Sequence, residues 1–263
     1  MQKLTFEEFQ NHGSVMISLP RLQRRSQVTK EKLEAAGFKN ISIVKGVDGF
    51  NDDIEPLLQM FGLEGKLAED ISGKKGKIAC TLSHVLLWKK IVDEKIPWLL
   101  IFEDDALPHP EFRTLGPSWW KETPSDFDIV LLGNQMDTRD SQLYDGNKIV
   151  KLPAFCLHAY LLSYKGAQRL LELLQQTGTM KMNDIQMYEW MARGLLDYYC
   201  WNGTGLQEKG YPIFHQRMDL ADALKYETLI VERRDTGLIY QNFLLGHTLA
   251  QENTIFNVVI YDD

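Results

Sequence analysis

Trp98-Leu99-Leu100-Ile101-Phe102-Glu103-Asp104-Asp105 decides how this chain is read. Five consecutive apolar residues mark a strand covered on both faces, as in the middle of a parallel sheet. The run stops at three carboxylates, which repel one another unless something offsets their charge. Side chains alternate along an extended strand, so Glu103 and Asp105 project to one side and Asp104 to the other. Two oxygen donors on one side suit a hard divalent cation, Mn2+ or Mg2+, which typically takes one or two carboxylates plus substrate phosphates. The plain alternative is an acidic turn leaving a strand for water, a common surface feature.

Outward from this stretch, strands and helices alternate. Residues 15–19 form a short apolar strand ending at Pro20, and a helix follows from about Ser26, a plausible N-cap, to Gly37. Residues 40–44 alternate as a second strand and run into Gly46-Val47-Asp48-Gly49. Helical spacing covers 78–94, with Pro97 as its limit. Residues 127–132 read as a strand ended by Gly133, 157–163 as a strand, and 166–176 as an amphipathic helix. Asn183 caps a helix to about Arg193, and 196–201 is a strand. This alternation predicts an α/β fold with a mostly parallel sheet flanked by helices. Ligands of such sheets bind beyond the carboxyl ends of the strands, so 20–25, 46–49 and 103–105 should surround one mouth.

Composition narrows the function. The chain has 263 residues, 44% hydrophobic and 25% charged, the mix of a globular protein. Its formal net charge of −7 argues against non-specific nucleic-acid binding. Cys80, Cys156 and Cys200 form no CxxC pair, so neither a disulfide framework nor a multi-thiolate zinc site is expected. The opening MQKLTFEEFQNHG does not read as a signal peptide, and no run of 18 apolar residues suggests a membrane span. The expected location is cytoplasmic, with peripheral membrane association left open.

Several side chains around the expected mouth are candidates for chemistry. Leu19-Pro20 leads into Arg21, Arg24 and Arg25 at a helix start, where guanidinium forks and backbone N–H groups can hold phosphate. A solvated basic patch is the alternative, although cations there oppose the helix dipole and a bound anion would relieve the conflict. Asp48, before Gly49, can accept a hydrogen bond from a ribose, or simply make a good turn. Ser83 and His84 lie on the helix before the acidic strand; His84 reads as a hydrogen-bonded core histidine, with a donor-site role only where this helix start faces the same mouth. Gly73-Lys74-Lys75-Gly76-Lys77 is a flexible basic loop without P-loop spacing.

Taken in order, these blocks resemble glycosyltransferase family 25, the family of lipooligosaccharide sugar transferases and collagen galactosyltransferases. The resemblance is carried by Ile17-Ser18-Leu19 and the arginines, Val47-Asp48-Gly49, Ile78-Ala79-Cys80-Thr81-Leu82-Ser83-His84 with Trp88, the acidic stretch, and His158-Ala159-Tyr160-Leu161-Leu162-Ser163 with Gly166-Ala167. It implies a GT-A-like (Rossmann-like) fold in one domain over 1–263, with 1–135 binding the nucleotide-sugar and 136–263 the acceptor. It also implies an inverting transfer of a hexose, galactose or glucose, from a UDP-sugar to a glycan hydroxyl. Asp105 becomes the leading metal ligand, with Glu103 and Asp104 at the metal shell or the ribose, and His215 as a late ligand. Leu19, Pro20, Arg21, Arg24, Arg25, Asp48, Gly49, Ser83 and His84 fall on the donor side. Asp184 is the candidate general base, with Glu189 in reserve; the alternative is an acid favouring a helix N-terminus by about 0.3–1 kcal/mol. Among Tyr188, Trp190, Tyr198, Tyr199 and Trp201, sugar stacking competes with core packing. Two rival functions share the pattern: a metal-dependent nucleotidyl- or phosphotransferase, and a non-catalytic nucleotide- or glycan-binding protein.

Overall fold

The computed structural model describes residues 3–109, 111–136, 145–202 and 214–215. At its centre is a sheet of seven strands: β1 (Ser14–Ser18), β2 (Ile41–Lys45), β3 (Trp98–Glu103), β5 (Ile129–Met136), β6 (Ile149–Val150), β7 (Ala154–Ser163) and β8 (Tyr198–Trp201). A separate two-stranded ladder joins β4 (Leu107–Pro108) to β9 (Phe214–His215). The order across the sheet is β2-β1-β3-β7-β5-β8-β6. β1 is parallel to β2 and β3, and β5 to β8, whereas β7 and β6 run the opposite way. The fold class is therefore as expected, α/β with a mostly parallel sheet in which only β6 and β7 run against the other strands. β7 lies between β3 and β5, so the sheet crosses the expected boundary at residue 135.

Period-two alternation divides the core into two layers. Leu99 and Ile101 of β3 pack with α4 (Lys75–Asp93), α6 (Tyr164–Thr177) and α7 (Asn183–Ala192), through Leu82, Val85, Trp88, Leu170 and Met187. Trp98, Leu100 and Phe102 point to the other face, against α1 (Phe6–Asn11), α2 (Gln23–Ala35) and α5 (Phe112–Glu122). A short α3 (Glu55–Met60) adds Leu58 to the first layer. Burying a side chain such as Phe102 contributes about 1.5–3 kcal/mol. No helix among the described residues is long and apolar enough to cross a membrane.

Five local expectations need correction. The basic stretch 73–77 is a loop only at Gly73-Lys74, because α4 already starts at Lys75 and takes in Gly76 and Lys77. A 3-10 turn, Pro20–Leu22, precedes α2, which therefore starts at Gln23; the Ser26 hydroxyl bonds back to the Gln23 carbonyl instead of capping. Met182, not Asn183, is the N-cap of α7, and the Asn183 N–H donates to Thr81 Oγ1 on α4. Gly133 does not end β5, which continues to Met136 past irregular pairing on either side of Gly133. The His158 ring crosses Gly133 so closely that a Cβ there would lie 2.1 Å from its Nε2. Finally, the strand at 157–163 belongs to β7, which starts at Ala154 and is antiparallel to both neighbours. Its amino-terminal half thus reaches the carboxyl end of β3, where a parallel strand would have sent its Ser163 end.

Candidate active site

Strand register builds the mouth. Ser18 pairs with Lys45, and Ile17 with both Val44 and Glu103, so β1, β2 and β3 end level. The loops carrying Arg21, Asp48 and Asp105 leave from the same edge, as the sheet rule requires. Beyond them, β9 pairs with β4 so that the His215 backbone faces Leu107, two residues after Asp105. The His215 side chain lies outside what the structure describes.

Adjacent carboxylates follow the strand's alternation onto opposite faces. Asp104, on the α2 side, is buried and bound on both oxygens: Ser18 Oγ donates to Oδ2 at 2.7 Å, and Arg25 Nη2 pairs with Oδ1. Thr29 Oγ1 donates to the Asp104 carbonyl at 2.6 Å, tying α2 to the same turn. The anion opposite Arg25 is thus Asp104. This buried pair resolves within the protein the clash between a cation and a helix N-terminus.

Glu103 faces α4. Its Oε1 lies 3.2 Å from His84 Nε2, His84 Nδ1 lies 2.9 Å from Tyr160 Oη, and Trp88 Nε1 donates to the same Oη at 3.3 Å. Both readings of His84 meet here, since it is a buried core histidine that touches the acidic cluster. Asp105, two residues after Glu103, is buried as well. Asp184, in the first turn of α7, is buried too. Burial, followed by the charge of Glu103, pushes its carboxyl up to about 6, against the downward pull of N–H bonds from Ile185 and Cys156. Cys156 holds φ at +70°, in the left-handed region, where strain concentrates at functional sites. Burial and the charges of Asp184 and Glu103 drive its thiol pKa upward. Beside it, Phe155 stacks on Tyr188 with ring centres 4.2 Å apart and planes 2° from parallel. Tyr188 lies four residues after Asp184, on the same helix face.

Turn chemistry dominates at the β2 end. Asp48 accepts from Arg21 Nε at 3.0 Å, Asn51 Nδ2 at 2.8 Å and the Phe50 N–H at 3.0 Å. Burial alone would raise its carboxyl, but these bonds hold it below the usual carboxylate range. Arg21 also sits 5.6 Å above the ring of Phe50, which is 63% exposed. Gly49 touches the start of α4, where a Cβ would lie 2.6 Å from the Lys75 carbonyl carbon and oxygen. Ser83 Oγ accepts from the Val47 N–H and donates to the Ala79 carbonyl, both at 2.8 Å, so it fastens this loop to α4. Arg24 is exposed on the first turn of α2, and Leu19-Pro20 opens the turn before it. Glu189 pairs with Lys181 instead of entering the acidic cluster. Of the aromatic candidates, Trp190, Tyr198 and Trp201 are core residues, while Tyr188 and Tyr199 are half-buried. The sequence reading missed Phe50, Phe155, Cys156 and Tyr160. An aromatic after Asp-Gly was a legible signal for Phe50, and Tyr160 stood inside a block that carries the family resemblance without a role of its own; nothing local marked Phe155 or Cys156.

The end of β3 carries donors of the kind a divalent cation takes. Glu103 and Asp105 supply the hard oxygens that Mg2+ and Mn2+ prefer, whereas both Asp104 oxygens are engaged elsewhere. Cys80, His84 and Glu103 also bring ligand-type atoms within 4.8 Å of one another. That thiol is a soft donor and a poor match for such ions.

Comparison with known proteins identifies the family. The family model described as glycosyltransferase family 25 (LPS biosynthesis protein) matches residues 11–186. The chain is 29% identical over 154 residues to a Haemophilus influenzae protein named lipooligosaccharide biosynthesis protein lic2B, covering 54% of each. It is 26% identical over 163 residues to a Bos taurus protein named probable inactive glycosyltransferase 25 family member 3, covering 57% of this chain and 27% of that one. The matched part thus spans about half the first relative and about a quarter of the second. Among solved structures, a glycosyltransferase involved in glycosylation of the major capsid of PBCV-1 aligns with TM-score 0.47 and 10% identity, over 82% of this chain and 97% of that one. The family match covers more than half of the sequence and contains the acidic stretch, the arginine loop and Asp184, and this chain belongs to glycosyltransferase family 25.

Proposed function

We propose that this chain transfers a hexose, galactose or glucose, from a UDP-sugar onto a hydroxyl of a lipooligosaccharide-type or other surface glycan, with inversion at the anomeric carbon. One arrangement supports the reading: Asp184 is a buried carboxyl at the start of α7 that feels the charge of Glu103 at the end of β3, and burial with that charge raises it to about 6. A general base works best when its pKa lies near the working pH. Inversion needs one such base, on the far side of the sugar from the leaving group.

Each part of the mouth then has a task. Glu103 and Asp105 would hold Mn2+ or Mg2+, which when bound offsets the charge of the departing diphosphate. Arg21, in the turn after β1, and Arg24, on the first turn of α2, share that charge, while Asp104 and Arg25 hold α2 against the end of β3. Asp48 and Gly49 shape the wall toward the ribose, and the exposed Phe50 ring offers a face to the base. Asp184 takes the acceptor hydroxyl proton. The Phe155–Tyr188 pair offers an apolar platform for an acceptor ring.

A second reading is a non-catalytic nucleotide- or glycan-binding protein, favoured by relatives whose names call them inactive. Incubation with UDP-galactose or UDP-glucose, a glycan acceptor and Mn2+, followed by NMR of the product, separates the readings. Release of UDP with inverted product is expected, and chelation should abolish it. Nucleotide-induced thermal stabilisation without transfer would favour the binding protein. Formation of UMP, or of a nucleotidylated acceptor, would favour nucleotidyl transfer.

A further inference from the structure

We infer that His84 is a positioning residue for Glu103, locked in one tautomer by Tyr160 and Trp88. The functional half of this inference rests on the reading of Glu103 as a cation ligand; the tautomer does not.

Fold register assembles the chain of contacts. His84 and Trp88 are four residues apart on α4 and present the same face to the sheet. Tyr160 of β7 pairs with Ile101 of β3, and Glu103 follows two residues later on that side. His84, Trp88 and Tyr160 are nearly or completely buried, so their polar atoms need partners inside the protein.

Donor accounting then fixes every proton. An indole N–H only donates, so Tyr160 Oη accepts from Trp88. The Tyr160 O–H still needs an acceptor, and His84 Nδ1 at 2.9 Å provides it. In a neutral imidazole with Nδ1 accepting, the proton sits on Nε2. That N–H points at Glu103 Oε1, 3.2 Å away. All bonds therefore run one way, from indole to phenol to imidazole to carboxylate. The result is a fixed donor behind Glu103 that restrains how its carboxylate turns toward the mouth. On this assignment His84 is not itself a cation ligand, because Nε2 carries a proton. Groups that orient metal ligands in this way typically cost 10–100-fold in metal affinity when removed.

The test has two independent arms. Long-range 1H–15N correlation spectra of histidine-labelled protein report the tautomer directly, with His84→Gln identifying the His84 signals. Protonated Nε2 and unprotonated Nδ1 are expected in the metal-free protein. The reverse pattern overturns the assignment, whatever the protein's activity. In the second arm, free Mn2+ is counted by electron paramagnetic resonance. The Mn2+ Kd should rise about tenfold or more in His84→Ala and in Tyr160→Phe. His84→Gln, which keeps an N–H donor, should recover most of that loss, which a merely structural histidine would not predict. An unchanged Kd in all three variants overturns the positioning role. Should the wild type bind no Mn2+ at all, the cation reading of Glu103 falls and takes the positioning role with it, while the spectrum still decides the tautomer.

Discussion

Glu103 and Asp104 are neighbours in sequence with opposite fates. On the α2 face, Asp104 is neutralised within the protein by Arg25 and held by Ser18, with Thr29 bonded to its carbonyl. On the α4 face, Glu103 sits against His84, and its charge is felt by a second buried acid, Asp184. A protein built for stability alone would treat both faces as it treats the first. Acidic charge gathered on the second is therefore the better mark of function, since it costs stability unless a ligand offsets it. The sharpest way to break this contrast is Asp184→Asn. Removing a general base should lower kcat by about 10²–10⁴-fold, measured as UDP release, while the variant stays folded. A change below a few-fold would move the base elsewhere.

Asp104→Ala tests the other face. It leaves Arg25 buried without its partner and removes the acceptor of Ser18, a loss of about 3–5 kcal/mol in urea unfolding. Restoring neutrality with Arg25→Met in the Asp104→Ala background should recover part of this, because the uncompensated charge goes with it. If Asp104→Ala unfolds like the wild type, the two faces do not differ as argued.

The charge of Asp184 sharpens the comparison further, because its sign is opposite to that of an ordinary salt-bridged acid. The folded carboxyl titrates at about 6 against a usual value of 3.8, so the folded chain holds this proton more tightly than the unfolded one. The stability it confers is complete below the unfolded value and falls as pH rises through about 6. Asp184→Asn should therefore be more stable than the wild type at neutral pH, by about 2–3 kcal/mol, with the gap closing in mild acid. Urea titrations at several pH values check this. Transfer activity should run the other way in the wild type, increasing as the carboxyl ionises near pH 6. The same group would thus lower stability over the range where it works.

How much of this was legible in the sequence depends on whether the signal was local. Residues 98–103 announced a buried strand because apolar runs and period-two alternation are properties of adjacent residues, and the opposite facing of Glu103 and Asp104 followed. The direction of β7 was not legible, since an apolar run reads alike both ways and direction depends on what lies beside it. α5, to which the sequence reading assigned nothing, runs through Gly116-Pro117 with Phe112, Trp119 and Trp120 buried. Thr5 and Glu8 form a capping box for α1, a signal present in an opening that otherwise reads as merely polar. Arg25 looked available for phosphate because its partner, Asp104, is remote in sequence. The left-handed φ of Cys156, which aims its N–H at Asp184, has no residue-type signature at all.

The smallest predicted effect lies at the rim, where neither face's electrostatics dominates. Phe50 is 63% exposed and in contact with Arg21, so Phe50→Ala should change stability by less than about 0.5 kcal/mol. Stacking of a base on an aromatic ring is worth about 1–3 kcal/mol, so KM for the UDP-sugar should rise about tenfold with kcat nearly unchanged. Such a split identifies binding felt equally in the ground and transition states. A fall in kcat instead would mean that Phe50 acts through Arg21 and the Asp48 turn, which would make this loop part of the charged machinery and not simply its wall.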